Sequence, residues 1–145
     1  MDIKLIELDQ IDFNAVRKKW LDDPQIKKFI SYHDQVKNDP VKPVYKKYYE
    51  IYNEDKLVGD IKVFTEEKDQ VRKQAQILMV VGENRSKGIG TLALSLLLNK
   101  LKGVFDTVYC HVNRYNIPSI KMLKNCGFLI DDFIGNDVIL IRKLG

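Results

Sequence analysis

The chain has 145 residues, of which 45% are hydrophobic and 30% charged, and a formal net charge of +4. One domain covering residues 1–145 is expected, with a core large enough to fold without metals or disulfides. Because no apolar run reaches the roughly 18 residues of a membrane span, and no basic stripe is present, we expect neither a membrane nor a nucleic-acid partner. Two cysteines and two histidines exclude a disulfide framework and a metal site, and indicate a cytoplasmic setting with reduced thiols.

The first half of the chain alternates between strand and helix patterns. Period-two alternation predicts strands, and apolar spacing of three to four residues predicts short amphipathic helices. Asp22 and Asp23 are expected to cap the second helix, and the prolines within residues 31–43 indicate a loop. In order, the predicted elements are a strand at 3–8, helices at 13–20 and 24–30, and a hairpin of strands at 48–53 and 57–64.

The second half begins with a charged turn at 65–73, followed by a predicted strand at 74–81 and a long helix at 88–102. That helix carries apolar residues at the spacing of one buried face, namely Ile89, Leu92, Ala93, Leu96, Leu97 and Leu101. The remaining predicted elements are a strand at 106–112, a helix begun by Asn116 and ended by Gly127, and strands at 129–134 and 138–144. This order predicts a mixed α/β (α+β) fold in which helices flank a central sheet.

The most informative segment joins the strand at 74–81 to the helix that follows it. Its loop, Arg85-Ser86-Lys87-Gly88-Ile89-Gly90, is basic and rich in glycine. Glycines let a ligand approach the backbone, and a helix start supplies unpaired N–H groups with partial positive charge, so we expect a phosphorylated ligand. A nucleoside-triphosphate loop needs Gly-Lys-Ser or Gly-Lys-Thr, and a dinucleotide fingerprint needs three glycines early in the chain; neither pattern is met.

The loop does match R-x-x-G-x-G, and a second block follows it at a suitable distance. That block consists of Val112-x-x-x-Asn116-Ile117-Pro118-Ser119-Ile120 and then Asn125-Cys126-Gly127-Phe128. The two blocks together resemble the signature of the GNAT N-acetyltransferase superfamily. The resemblance covers residues 74–128, and the earlier residues match only in their order of strands and helices.

The resemblance implies a mostly antiparallel sheet whose fourth and fifth strands splay apart to admit the pantetheine arm of acetyl-CoA, the co-substrate. It implies that pantetheine pairs with the backbone around Val80 and Val81, where an N–H can also hold the oxyanion. The pyrophosphate would bind at the loop and helix start, through Arg85, Ser86, Lys87, Gly88, Ile89, Gly90 and Thr91. Asn116 and Ser119 would orient the cofactor, although Asn116 is also explained as a helix cap. The implied reaction is direct attack by a primary amine in a ternary complex.

Two positions depart from the common family pattern. Many members carry a tyrosine as general acid seven residues after the asparagine, where this chain has Leu123. Many carry a glutamate near the start of the fourth strand, where the nearest residues are Gln74 and Gln76. The candidate substitute bases are Glu83, Glu66, His111 and His33, and the sequence does not choose among them. Cys110 and His111 are adjacent in a strand and so face opposite ways, which excludes a nucleophile–base pair.

Alternatives stay open at this stage. The missing tyrosine and glutamate allow a non-catalytic acyl-CoA-binding or sensor domain, and a nucleotide-binding regulatory module is a more remote alternative. The amine acceptor could be a protein N-terminus, an antibiotic, a polyamine or a small metabolite. A cluster of tyrosines could either line the acceptor pocket or serve packing: Tyr45, Tyr48, Tyr49 and Tyr52. A homodimer is compatible with the sequence, but nothing in it requires one.

Overall fold

The computed structural model describes residues 2–9, 15–27, 45–66, 69, 73–82 and 88–145, the side chains of Leu21 and Lys27 excepted. The elements within these residues follow the predicted order. They are β1 (Ile3–Leu8), α1 (Ala15–Asp22), α2 (Pro24–Lys27), β2 (Tyr45–Asn53), β3 (Lys56–Thr65), β4 (Gln74–Val81), α3 (Ile89–Leu101), β5 (Thr107–Asn113), α4 (Ile117–Asn125), β6 (Leu129–Ile134) and β7 (Asp137–Lys143).

The seven strands form one sheet in the order β1-β2-β3-β4-β5-β7-β6. Every neighbouring pair is antiparallel except β4 and β5, which are parallel. Helices α3 and α4 cover one face, where their side chains join the main core with residues such as Ile77 and Val108. On the other face, Trp20 of α1 and Ile26 of α2 pack against Val80. The predicted mixed, mostly antiparallel sheet flanked by helices is confirmed.

The parallel pair β4 and β5 is joined over only three residue pairs, from Gln74 opposite Thr107 to Gln76 opposite Tyr109. Beyond Gln76, residues 77–81 of β4 pair with β3 alone, and β5 instead continues its pairing with β7. The two strands therefore diverge toward their carboxyl ends. This V-shaped gap is the splay expected from the family resemblance, and its vertex lies at Gln76 and Tyr109.

Helix α3 buries a face that differs in part from the predicted one. Leu92 and Leu96 were expected in the core, yet they are exposed to 43% and 39%. Leu94 and Leu98 are buried in their place, beside the correctly predicted Ile89, Ala93, Leu97 and Leu101. With apolar residues on more than one side of the helix, periodicity alone cannot fix its rotation. The packing of α3 against the sheet and α4 decides it.

Helix α1 is attached to its face of the sheet by charge as well as by apolar packing. Arg17 is 2% exposed, and its Nε donates to Asp60 Oδ2 at 2.9 Å while its Nη2 contacts Glu50 Oε2 at 2.6 Å. A buried guanidinium is tolerated only when carboxylates compensate its lost hydration. The ion pairs therefore fix how α1 lies across β2 and β3.

Element ends differ from the predictions at several places. β2 begins at Tyr45 rather than at residue 48, where Tyr45 N–H donates to Thr65 Oγ1 at 3.0 Å. Helix α1 continues through Asp22, so only Asp23 caps α2, by accepting the Gln25 N–H at 2.9 Å. Residues 13–14 and 28–30 of the predicted helices, and the predicted loop at 31–43, lie outside the described residues. None of the described helices is long and apolar enough to cross a membrane.

Candidate active site

The gap between β4 and β5 opens into a cleft of about 890 Å³. Its lining comes from both faces of the sheet, because the diverging strands leave a passage from the side of α3 and α4 to the side of α1 and α2. A cleft of this size lies in the range of small-molecule and cofactor sites. A ligand placed in the gap would thus have one end on each face of the sheet.

The start of α3 forms one end of this cleft. Gly88 precedes the helix with φ of +82°, a left-handed conformation that favours glycine. Gly88, Ile89, Gly90 and Thr91 all line the cleft, so four of the seven residues of the expected phosphate-binding segment border it. The other expected members, Arg85, Ser86 and Lys87, lie outside the described residues, as do the candidate bases Glu83 and His33.

Gly90 also has a packing role that the sequence motif does not reveal. A Cβ at this position would lie 2.6 Å from Met122 Sδ on α4. The missing side chain therefore lets α3 approach α4 closely. Since Met122 lines the cleft as well, the second glycine of the loop shapes the cleft wall in addition to leaving its own backbone open.

The edge of β4 presents unpaired backbone groups to the gap. β3 and β4 pair antiparallel without a register shift, and Gly82 N–H donates to Val58 O at 2.7 Å. Because bonded pairs recur at every second residue of an antiparallel ladder, the N–H and C=O of Val80 are directed at β3. Those of Met79 and Val81 are directed at the gap. Of the two residues expected to offer an oxyanion donor, Val81 has the suitable orientation.

Helix α4, which packs beside α3, supplies another part of the cleft wall. Asn116 is its N-cap, and the side-chain oxygen of Asn116 accepts the Ser119 N–H at 3.4 Å. Both residues line the cleft, together with Pro118. The capping bond uses Oδ1, so the Nδ2 group can still donate to a ligand. A structural role and a ligand-binding role for Asn116 are therefore compatible.

The side of the cleft that faces α1 and α2 carries polar and charged side chains that could contact an acceptor amine. It is lined by Lys62, Phe64, Glu66, Gln76 and His111, among others. Lys62 is almost fully buried, and its Nζ lies 4.9 Å from the centre of the Phe64 ring. Glu66 and His111 are the two candidate bases that the described residues bring to the cleft.

Cys110 and His111 occupy opposite faces of β5, as expected from strand geometry. Cys110 belongs to the main core, and burial raises the pKa of its thiol to about 12. His111 lies on the other face, where its ring centre is 5.8 Å from that of Tyr109. Because the thiolate is the reactive form, a buried thiol whose pKa is raised is poorly suited to act as a nucleophile. The described residues contain no cluster of side chains suited to a metal ion.

A family model described as the acetyltransferase (GNAT) family matches residues 5–128. The chain belongs to the GNAT acetyltransferase family. No curated protein matches it.

Solved structures with the same fold include GNAT acetyltransferases. One neighbour is the aminoglycoside acetyltransferase AAC(6')-Ib in complex with coenzyme A, with a TM-score of 0.80, 13% identity, and coverage of 98% of this chain and 95% of that one. A domain from Methanocaldococcus jannaschii has a TM-score of 0.72 and 23% identity, with coverage of 98% and 99%. The ribosomal-protein alpha-N-acetyltransferase RimL, in complex with coenzyme A, has a TM-score of 0.60 and 18% identity over 69% and 63% of the two chains. At these identities the likeness establishes the fold.

The structure shows where the two positions that depart from the common GNAT pattern lie. Leu123, in place of the frequent tyrosine, is buried and lines the cleft beside Cys110, so this wall offers no acidic hydroxyl. Gln76 lines the cleft, whereas Gln74 donates through Nε2 to Asp69 Oδ1 at 2.9 Å. Only Gln76 of the two glutamines is thus available to position water at the acceptor side.

Asp69 is the residue that sequence reasoning missed. It lies in the predicted charged turn at 65–73, where a solvated side chain is the ordinary expectation, yet it is completely buried. Nothing in its sequence neighbourhood distinguishes it from the adjacent charges, because its burial depends on contacts with β4 and β5. In the tyrosine cluster, Tyr48 and Tyr49 are buried, and the described lining of the cleft contains none of the four tyrosines.

Proposed function

We propose that this GNAT protein transfers an acetyl group from acetyl-CoA to a primary amine by direct attack within a ternary complex. The single observation that carries the proposal is the row of β4 backbone groups at Met79 and Val81. This row faces a gap that begins at the β4–β5 vertex and ends at the left-handed Gly88. An amide-rich arm such as pantetheine can pair with that edge as an additional strand would.

The cofactor would then lie with its pyrophosphate at residues 85–91 and its thioester toward the vertex. The start of α3 favours negative charge through its unpaired N–H groups. Arg85, Ser86 and Lys87 would add side-chain contacts, and Asn116 and Ser119 would border the pantetheine from α4. The 890 Å³ cleft, open to both faces of the sheet, supports simultaneous occupation by donor and acceptor.

The chemistry requires a neutral amine next to the thioester carbonyl. In the proposed step a base removes a proton from the ammonium group, and the free amine forms a bond to the carbonyl carbon. The Val81 N–H stabilises the resulting oxyanion. Collapse breaks the carbon–sulfur bond, and the amine nitrogen loses its second proton to solvent. Coenzyme A leaves as a thiolate that solvent protonates, because Leu123 has no proton to give.

Glu66 and His111 are the two groups that we propose for the base role, since both border the acceptor side of the cleft. The need for a base depends on the acceptor. A lysine-type amine has a pKa of about 10.4, and an α-amine one of about 7.7–8.0, so only the former is almost wholly protonated at pH 7. The structural neighbours comprise an aminoglycoside acetyltransferase and a protein alpha-N-acetyltransferase, and we propose an amine of either kind, in the cytoplasm.

The first test is thermal. Acetyl-CoA and CoA should raise the melting temperature by binding the folded state, whereas ATP and NAD should not.

The second test incubates the protein with acetyl-CoA and a panel of α-amines, lysine peptides, polyamines and aminoglycosides, while free thiol is followed. Amine-dependent thiol release supports the enzyme. Binding without turnover of any amine would instead support an acyl-CoA sensor, the alternative that Leu123 favours. A shift caused by ATP or NAD would support a nucleotide-binding module.

A further inference from the structure

Asp69 lies at the vertex of the gap, against Gln74 and Tyr109, and is the most deeply buried carboxylate among the described residues. Its relative exposure is 0%, and a buried carboxylate is costly unless several donors compensate it. The free-energy cost of burying this carboxylate indicates that Asp69 has a role other than keeping the protein soluble. Asp69 also borders a second, smaller cavity, which lies on the far side of the vertex from the main cleft.

Three donors from three different elements converge on this carboxylate. Asp69 Oδ2 accepts the Glu66 N–H at 2.9 Å, and Oδ1 accepts the Gln74 Nε2 at 2.9 Å. The Tyr109 hydroxyl donates to Oδ2 at 3.0 Å and approaches Oδ1 at 3.2 Å. We refer to Asp69, Glu66, Gln74 and Tyr109 as the vertex network. Because the three donors come from different parts of the chain, their hydrogen bonds hold the end of β3 against β4 and β5.

The network lies where the gap between the strands begins. Gln74 belongs to β4 and Tyr109 to β5, and both take part in the short pairing that ends at Gln76 opposite Tyr109. Glu66 directly follows β3. Asp69 thus joins the end of β3 to β4 and β5 at the vertex.

Both candidate bases are connected to this network. The turn at Glu66 is closed in both directions, because Asp69 N–H also donates to Glu66 O at 2.9 Å. The backbone of Glu66 is therefore held while its side chain borders the cleft. The Tyr109 ring lies beside the His111 ring. Burial, and then the bond to Asp69, raise the pKa of the Tyr109 hydroxyl, which therefore remains protonated and able to donate.

We propose that Asp69 is a positioning residue for acyl transfer, which holds Glu66 at the acceptor side of the cleft as the group that takes the proton of the incoming amine. The inference rests on the proposed function. In this step an N–H bond of the ammonium group breaks and an O–H bond forms on the Glu66 carboxylate. The amine lone pair so released attacks the thioester, and Glu66 later returns its proton to water.

The experiment compares Asp69→Ala, Asp69→Asn, Glu66→Gln and the double variant Asp69→Ala/Glu66→Gln. Alanine removes every acceptor, whereas asparagine keeps one acceptor oxygen and should restore part of the effect. Asp106→Ala is the matched control, since Asp106 is exposed and borders the same smaller cavity. Should Asp69→Ala fail to fold, Asp69→Asn and Tyr109→Phe, which removes one donor, take its place.

The first measurement needs no acceptor. Amide hydrogen exchange of Glu66, followed by NMR, should be slow in the native protein and at least roughly tenfold faster in Asp69→Ala, with no change in Asp106→Ala. Unchanged exchange in Asp69→Ala would overturn the proposal. Acetyl-CoA affinity should stay within about twofold of the native value, because most of the proposed cofactor contacts lie at the start of α3, on β4 beyond Gln76 and on α4, outside the vertex network.

The second measurement uses an acceptor from the amine panel. Glu66→Gln should lower kcat by on the order of 100-fold and Asp69→Ala by roughly tenfold or more. If Asp69 acts through Glu66, the double variant should be no slower than Glu66→Gln alone; losses that multiply would refute the positioning role. If the proposed function is wrong, the native protein will turn over no amine. In that case the exchange rate of the Glu66 amide still shows whether Asp69 holds the backbone of Glu66.

Discussion

The indole ring of Trp20 lies directly against Gly82. A Cβ built on Gly82 would overlap the ring atoms Cδ2, Cγ and Cδ1, so the absence of a side chain allows α1 to rest on the residue that directly follows β4. Trp20 is 2% exposed, and its Nε1 has no hydrogen-bond acceptor in the described part of the protein. Within the described residues, packing of the ring therefore positions Trp20, and α1 contacts the chain directly after β4.

The contact predicts that Gly82→Ala is destabilising. Over-packing of a well-filled site typically costs about 1–3 kcal/mol, so the free energy of unfolding should fall by that amount. Because Trp20 is the sole tryptophan, its fluorescence and near-ultraviolet circular dichroism should change in the same variant. Gly145→Ala is the control, since a Cβ there meets nothing within 4 Å. A Gly82→Ala protein with native stability and an unchanged tryptophan spectrum would contradict the packing described here.

Two substitutions at Gly88 can separate the effect of a negative charge from the effect of backbone strain. Its φ of +82° is unfavourable for most side chains, but asparagine adopts that region more readily than others. We predict that Gly88→Asp abolishes the rise in melting temperature caused by acetyl-CoA, because its carboxylate repels the pyrophosphate. Gly88→Asn, nearly equal in size and uncharged, should retain part of the rise. Equal shifts for both variants would argue against a phosphate at the start of α3.

Much of this fold could be predicted from the sequence, because strong local patterns determine it. The alternation in β1, the cap at Asn116 and the glycine after α4 each act within a few residues, and each matches the structure. The divergence of β4 and β5 was anticipated from two motifs that resemble a family signature. The cleft they enclose brings together Gly88, Gly90, Asn116 and Ser119, as those motifs implied.

The remaining features depend on tertiary contacts that leave no local trace. The charged residues Asp60, Lys62 and Asp69 are buried, although a charge normally indicates a solvated position. Their burial follows from partners distant in sequence, such as Arg17 for Asp60 and Tyr109 for Asp69. The rotation of α3, which exposes Leu92 and Leu96, is decided in the same way. The burial of these charged residues thus emerges only from the folded structure.

The buried ion pairs of Arg17 should contribute measurably to stability. Arg17→Met leaves Asp60 buried without its principal cation, and breaking such a pair typically costs about 3–5 kcal/mol. Lys18→Met, on the exposed side of the same helix, should change the free energy of unfolding by no more than about 0.5 kcal/mol. Urea denaturation measures both. Adding Asp60→Asn to Arg17→Met should recover part of the loss, and an absence of recovery would show that the buried charge is not its cause.

Cys110 should make the protein less stable in alkaline solution. Burial raises the pKa of its thiol from 9.0 to about 12, so the thiol ionises in the unfolded chain well before it does in the folded one. The contribution of Cys110 to stability is fully present below pH 9 and is lost as the pH rises from 9 toward 12. Over that window the slope can reach about 1.4 kcal/mol per pH unit.

The measurement is urea denaturation of the native protein and of Cys110→Ala between pH 8 and pH 11, with a reductant present. Burial also raises the pKa of Tyr49 and Tyr109, but both proteins retain these hydroxyls, so the difference between the two curves isolates the thiol. Cys110→Ala should be less stable at pH 8 because of the cavity it leaves, and the gap should narrow above pH 9. A gap of constant size across the range would mean that the thiol ionises equally in the folded and unfolded states.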